Sequence, residues 1–211
     1  MTRVLLVRHG ETAWNRAGRL QGWAPVPLTA HGREQARAVG AALAERYAVD
    51  AVTASDLPRA AETATLVAEP LGATPSHDER WRERDLGDLQ GLTHEAIDAR
   101  HPEYSLSADG AAAVEARPPG GESLADLRGR VIEAWDDLVA AAGPDETRLV
   151  VTHGGPLYLL LGHLQGRPVV ESVLEHRQAN GAVNEVRVAD GTATVVRENE
   201  TGALAAGPDG R

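Results

Sequence analysis

The chain reads as an α/β protein: a three-layer α/β/α sandwich with a mostly parallel central sheet, an antiparallel edge strand and a small cap insertion. Three observations carry this reading. Short aliphatic runs alternate with longer stretches at helical spacing along most of the 211 residues. The runs "VLLV" and "LVVT" are apolar at consecutive positions, the pattern of strands covered on both faces. Near the end, "NEVRVADGTATVVRE" changes to two alternating runs about Asp190-Gly191, the signature of a hairpin.

Each element has a local cause. Val4 to Val7 forms the first strand. Thr29 caps a helix with Ala36, Val39 and Leu43 on one stripe, continued by Tyr47. Ala51 to Ala54 is a second strand. Pro58 suits a first helical turn, and that helix runs to about Glu69, where Pro70 stops it. Ser123 caps a helix carrying Leu124, Leu127, Val131, Trp135 and Leu138; Leu149 to Thr152 is another buried strand. Pro156 opens an apolar helix through Leu157, Leu160, Leu161 and Leu164. Residues 84–121 fit this rhythm worst, with one modest helix around Thr93 to Ala99, and read as a cap or lid over a site. The expected organisation is a single domain over residues 1–198 with that cap insertion, and a small, polar, disordered tail over 199–211.

Composition excludes several classes of function. A net charge of −10 gives no global attraction for polyanions, so nucleic acid is not an expected partner. No run of ~18 apolar residues offers a membrane span, and the N-terminus enters strand pattern without a secretory signal, so the expected location is cytoplasmic. There is no cysteine, which removes thiolate nucleophiles, disulfides and thiolate metal sites. All 21 basic residues are arginine; without lysine there is no Walker-type phosphate loop and no Schiff base. The acidic run "HDERWRERD" lacks a second carboxylate group near the strand ends, so no metal and no cofactor are expected.

The charged residues concentrate at one edge of this frame. Arg8 and His9 end the first strand, His153 and Gly154 end the strand at Thr152, and Arg59 opens the helix after the second strand. Carboxyl ends of parallel strands form the ligand crevice of such sheets, and helix N-termini there add N–H donors for an anion. Two imidazoles and two guanidiniums make a phosphoryl-shaped pocket, because the planar fork of arginine can bond two phosphate oxygens at once. His31, His77, His94, His101 and His176 stand in polar surroundings and His163 in the apolar helix; all six read as structural or solvent-facing.

"RHGET" with Asn15, "RLQGW" and the following "PLT", "SDLPRAAETA", "ERDLGDLQG", "PPGGES" and "VVTHGG" resemble the histidine phosphatase superfamily, the phosphoglycerate mutase-like proteins. The blocks run in family order from Val4 to about Gly155. The resemblance implies a phosphohistidine intermediate on His9, with Arg8, Arg59 and His153 binding the phosphoryl group; as that group transfers, both arginines and His153, then a cation, can neutralise the charge on its oxygens. It implies Glu83 as proton donor, and Asn15, Gln21, Gly22 and Gly154 as residues lining the substrate phosphate. Imidazole suits the nucleophile's role if its other nitrogen is held as N–H by an acceptor. Gly10 would let the backbone pass close to that ring.

Within the family, mutases carry His-Tyr after the Glu-Arg pair, where this chain has Asp85 and Leu86, and a lysine with paired arginines in the insert, where this chain has no lysine and offers Arg117. "HGG" and "PPGGES" look like the phosphatase branch. The expected activity is therefore metal-independent hydrolysis of a small phosphorylated metabolite, a phosphoric monoester hydrolase. The alternatives are a 2,3-bisphosphoglycerate-dependent phosphoglycerate mutase and an inactive phospho-binding module. "ERDLGDLQGLTHEAID" and "GGES" resemble phosphatases of sugar-phosphoglycerate intermediates. Similar folds often pair through an edge strand, so a homodimer is one possible assembly, and the sequence leaves the oligomeric state open. Tyr104 is the bulkiest contact that the insert offers to a leaving group.

Overall fold

The structure is a computed structural model and describes residues 1–175 and 178–202. Its organisation starts from β1 (Thr2–Arg8), where Val4, Leu5, Leu6 and Val7 are all fully buried. Side chains of a strand alternate between faces, so Leu5 and Val7 enter one core while Val4 and Leu6 enter another. A strand that is apolar at every position needs cover on both sides. Three layers follow.

After β1, a single-turn helix α1 (Ala13–Arg16) leads to α2 (Ala30–Arg46), where Thr29 caps Gly32 N–H as expected. β2 (Ala51–Ala54) and α3 (Pro58–Ala68) follow, with Pro58 in the first helical turn. α3 stops at Ala68 and a 3₁₀ turn, Glu69–Leu71, accommodates Pro70, which lacks the N–H an α-helix needs. The two-residue β3 (Ser76–His77) is too short to leave a sequence pattern. Within 84–121 the chain forms α4 (His94–Arg100), α5 (Leu106–Asp109) and α6 (Ala112–Glu115), joined by 3₁₀ turns. That stretch is more regular than its composition indicates. Then come α7 (Leu124–Ala140), β4 (Thr147–Thr152) and α8 (Gly154–Leu164). α8 starts ahead of Pro156, directly after His153, which changes what its N-terminus can reach. α9 (Val169–Glu175) leaves no clear sequence signal. β5 (Val183–Ala189) and β6 (Thr192–Glu200) form the hairpin.

The strands lie in the order β3-β2-β4-β1-β5-β6. β1, β2, β3 and β4 are parallel, β5 is antiparallel to β1, and β6 is antiparallel to β5. The reversed strand is therefore β5, one in from the edge, while β6 at the edge runs with the parallel set. On one face α2 and α3 supply Val39, Leu43, Ala60 and Val67; on the other α7 and α8 supply Leu127, Trp135, Leu157 and Leu160. A third, smaller cluster of Leu86, Leu89 and Ile97 anchors the 84–121 segment, which is pinched at its base. There Asp88 N–H donates to Pro119 O at 3.0 Å and Glu122 N–H to Asp85 O at 2.9 Å.

β6 reaches Glu200, two residues beyond the expected domain end at 198; residues 203–211 of the expected tail, and His176, lie outside the described residues. Among the described residues no helix is long and apolar enough to cross a membrane.

α7 depends on its capping box. Ser123 Oγ accepts from Asp126 N–H at 3.0 Å, while Asp126 accepts from Ser123 N–H at 2.8 Å and from its hydroxyl at 2.7 Å. These bonds, the Ser123 hydroxyl first, lower the Asp126 carboxyl pKa. Ser123→Ala is expected to cost about 1 kcal/mol in urea unfolding at pH 7. A depressed carboxylate stabilises above its unfolded pKa and loses that contribution as pH falls through its folded one. The gap between wild type and variant should therefore narrow below about pH 4.

Candidate active site

Strand register brings the two histidines together. β1 and β4 pair in parallel with Arg8 opposite Thr152, so His9 and His153 leave the sheet at the same edge. Their ring centroids are 5.1 Å apart, and both side chains are buried. α3 begins behind the neighbouring β2 and carries Arg59, only 1% exposed, into the same place. Its Nε–H donates to His9 Nε2 at 3.3 Å, and its two Nη groups donate to Gly22 O at 2.8 Å and Ala24 O at 3.1 Å. Arg8 is held by a bond from Nη1 to Gln178 O.

The tautomer of His9 follows from its two neighbours. Nδ1 lies 2.7 Å from Gly10 O, which can only accept, while Nε2 faces the Arg59 donor. Nδ1 therefore carries the proton, and Nε2 keeps its lone pair, which accepts the Arg59 N–H. Burial, then Arg59, then Arg8 push the His9 pKa well below its usual value, so the ring is neutral. His153 is lowered in the same way, by burial first and then Arg59, His9 and Arg8. Beside two guanidiniums and out of water, it rests as a neutral ring in the free site. Its Nε2 lies 2.8 Å from Ser55 Oγ, while Nδ1, like Arg8 Nε, is buried without a partner. Arg59 itself falls to about 10, chiefly through burial, and stays charged at neutral pH. Among the described residues, neither Arg8 nor Arg59 forms an ion pair with a carboxylate.

Glu83 is fixed from both ends. Its carboxylate accepts Arg84 N–H at 2.8 Å and Gly155 N–H, in the first turn of α8, at 3.1 Å. Its carbonyl accepts Trp23 Nε1–H and Arg130 Nη2–H, each at 2.7 Å. A Cβ on residue 155 would lie 2.1 Å from Glu83 Oε1, so only glycine admits the carboxylate there.

Arg8, His9, Asn15, Gln21, Gly22, Arg59, Glu83 and Gly154 all line one cleft of about 730 Å³; His153 sits just beneath it against the His9 ring. A second recess of about 460 Å³ is bounded by Glu11, His31 and Glu34 with no arginine in its wall, which does not suit an anion. Two expectations gain detail and a third needs revision. His94 lines the cleft although it is exposed, because α4 faces the opening. The insert contributes leucines as well as Tyr104. Gly10 is required by a neighbouring backbone and not by the His9 ring, since a Cβ there would meet Gly32 O at 2.3 Å. Among the other expected bystanders, His163 bonds Arg128 and His31 lies by Glu34.

Several supporting residues escape a sequence reading. Asn180 donates from Nδ2 to His9 O at 3.1 Å and Asn15 Oδ1 at 3.2 Å, bracing the loop and leaving Asn15 its amide nitrogen to offer to the cleft. Nothing in "RQANG" signals this, for the loop is brought over by the hairpin. Ser55 and Gly155 were findable: Ser55 follows β2 as His9 follows β1, and Gly155 is the second glycine of "HGG".

Buried, neutral rings give a spectroscopic expectation. In a histidine NMR titration from pH 7.5 to 6.0, the ring protons of His9 and His153 should hold their shifts. Because unfolded histidine binds a proton below about pH 6.5 and these two do not, stability should also decline from that pH downward.

Comparison with known proteins agrees with this geometry. The family model of the histidine phosphatase superfamily (branch 1) matches residues 4–201. The chain is 39% identical over 175 residues to a glucosyl-3-phosphoglycerate phosphatase of Mycolicibacterium vanbaalenii, covering 79% of this chain and 76% of that protein. It is 36% identical over 190 residues to phosphoglycerate mutase-like protein 4 of Arabidopsis thaliana, covering 89% and 80%. The solved structure of Bacillus stearothermophilus YhfR superposes with a TM-score of 0.86 at 34% identity, covering 97% of this chain and 100% of that one. With both histidines at adjacent strand ends and the match spanning nearly the whole chain, the protein belongs to the histidine phosphatase superfamily, branch 1.

Proposed function

We propose that the protein hydrolyses a small phosphomonoester through a phosphohistidine on His9. The observation that carries this reading is Arg59: a charged guanidinium, almost wholly out of water, touching the lone-pair nitrogen of a neutral imidazole and, among the described residues, paired with no carboxylate. A buried cation solvated only by carbonyls and a ring nitrogen is costly. A phosphoryl dianion supplies the missing countercharge.

The steps follow from the groups in place. His9 Nε2 attacks phosphorus as the P–O bond to the leaving alcohol breaks. Arg8 and Arg59 neutralise the charge spread over the phosphoryl oxygens, work that positioned cations do in phosphoryl transfer generally. His153 Nδ1 and Arg8 Nε, buried and unpartnered, are the polar atoms left to bond those oxygens; an arriving dianion also favours protonation of His153. Glu83 gives its proton to the leaving oxygen. It then takes one from water as that water attacks phosphohistidine, which frees His9 and releases phosphate. Gly154, Asn15, Gln21 and Gly22 complete the phosphate cup.

Hydrolysis is preferred to mutase chemistry on a specific ground. Of the insert's arginines, Arg117 bonds Asp126 at 2.8 Å and, like Arg100, stands outside the cleft, while Arg84 lines it but gives Nε and Nη2 to backbone carbonyls. The name of the 39%-identical relative also favours a phosphatase. Location in the cytoplasm, and a homodimer as the working assembly, remain part of this reading.

Release of phosphate from p-nitrophenyl phosphate, with no conversion of 3-phosphoglycerate in the presence of 2,3-bisphosphoglycerate, is the expected pattern. The reverse pattern would establish the mutase, and neither activity the binding module. His9→Ala should lose at least about a thousandfold in turnover, ~4 kcal/mol of barrier stabilisation, together with the acid-labile phosphoenzyme seen on quenching.

Glu83→Gln should cost about a hundredfold or more with alkyl phosphates, and far less with p-nitrophenyl phosphate, whose leaving group needs no proton. Gly155→Ala should shift Glu83 and give the same substrate-dependent loss at about tenfold or more, since small misplacements of a catalytic group are expensive. An equal loss on both substrates would contradict the assignment of Glu83.

A further inference from the structure

The leaving-group half of the cleft differs in character from its phosphate half. The cap cluster of Leu86, Leu89 and Ile97 forms one wall, and Tyr104 and Leu106 from the turns after α4 extend it. Leu174 of α9 also lines this cleft. It is 54% exposed, one of few large hydrophobic side chains among the described residues left in water, and it lies on the rim of this cleft. An apolar residue exposed where a ligand enters is more informative than one exposed elsewhere.

Several polar groups of this half already have partners. Asp98 Oδ1 accepts the Ser105 hydroxyl at 2.5 Å and the Ser107 hydroxyl at 3.3 Å, and the two hydroxyls lie 2.8 Å from each other. Arg84 spends Nε on Glu122 O and Nη2 on Ala116 O. Arg19 and His94 are exposed at the rim, where water satisfies them, and Arg19 also bonds Gly91 O. A polyhydroxylated alcohol entering here would give up hydrogen bonds to water and find few to replace them.

We propose that this wall is a leaving-group subsite for an apolar alcohol, so that the substrate class is the phosphomonoester of a hydrocarbon-rich alcohol and not of a sugar or a glycerate. This rests on the phosphomonoester reading above and adds the identity of the other half of the substrate. Phosphate binding and chemistry come from the arginines and His9. Discrimination comes from area removed from water along the cap and α9, an interaction made before and during the chemical step, so it acts on KM more than on kcat.

The test compares primary alkyl phosphates, whose leaving alcohols have similar basicity, so that differences report binding. Across n-propyl, n-butyl, n-pentyl and n-hexyl phosphate, kcat/KM is expected to rise about threefold per methylene, mostly through KM. n-Hexyl phosphate should exceed glycerol 1-phosphate on the order of a hundredfold. Leu174→Ser, a change at an exposed position, should flatten the series at its longer members. A flat or falling series with phosphate still released, glycerol 1-phosphate equal to or better than n-propyl phosphate, or a slope untouched by Leu174→Ser would overturn the subsite and leave the hydrolase standing. No phosphate from any ester, p-nitrophenyl phosphate included, would instead overturn the hydrolase reading on which it rests.

Discussion

Arg59 Nε beside His9 Nε2 is the contact on which the rest of the site depends. It puts a permanent cation against the nitrogen that has to keep its lone pair, in a place that water does not reach. Each partner constrains the other. The guanidinium makes protonation of the ring unfavourable, and burial strengthens that effect by lowering the local dielectric. The ring in turn offers Arg59 an acceptor that is not an anion, so the charge remains available. A carboxylate at the same position would have neutralised Arg59 and competed with any phosphate. The carbonyls of Gly22 and Ala24 occupy the remaining donors without cancelling the charge.

The same economy governs Glu83. An acidic group near two arginines would collapse onto them as a salt bridge if it were free to rotate. Here backbone N–H groups of Arg84 and Gly155 hold the carboxylate, and Trp23 and Arg130 hold the carbonyl behind it. Positive and negative groups thus remain in one cleft without quenching each other, which is what acid–base chemistry beside a phosphoryl centre requires. The fold supplies the stiffness: Trp23 comes from the segment after α1, Arg130 from α7 and Gly155 from α8. The stability this arrangement forgoes is recovered in two apolar cores, whose strands and helices are buried on both sides of the sheet.

Much of the architecture was legible in the amino acids because its causes are local. "VLLV" must be covered on both faces, Thr29 and Ser123 carry capping oxygens, and Asp190-Gly191 turns a hairpin; each was found where expected. Elements too short for a period to register, β3, α5 and α6, were not legible, nor was α8's start at Gly154 ahead of its proline. The cap read as irregular because its stability comes from a small cluster, Leu86, Leu89 and Ile97, and from backbone bonds between segments more than thirty residues apart. No pattern along the chain encodes those.

By itself the sequence determined the class of fold, the arginine-only basic chemistry and the placing of Arg8, His9, Arg59 and His153 at strand and helix ends, since periodicity and turn chemistry act over a few residues. Tertiary structure alone decided their state and their company. In the free site His153 is neutral because two guanidiniums and complete burial surround it, and Asn180 braces the His9 loop because a distant hairpin carries it there. Protonation and hydrogen bonding depend on what lies within a few ångströms in space, and the register of β1 against β4, together with the seating of α3, sets that distance.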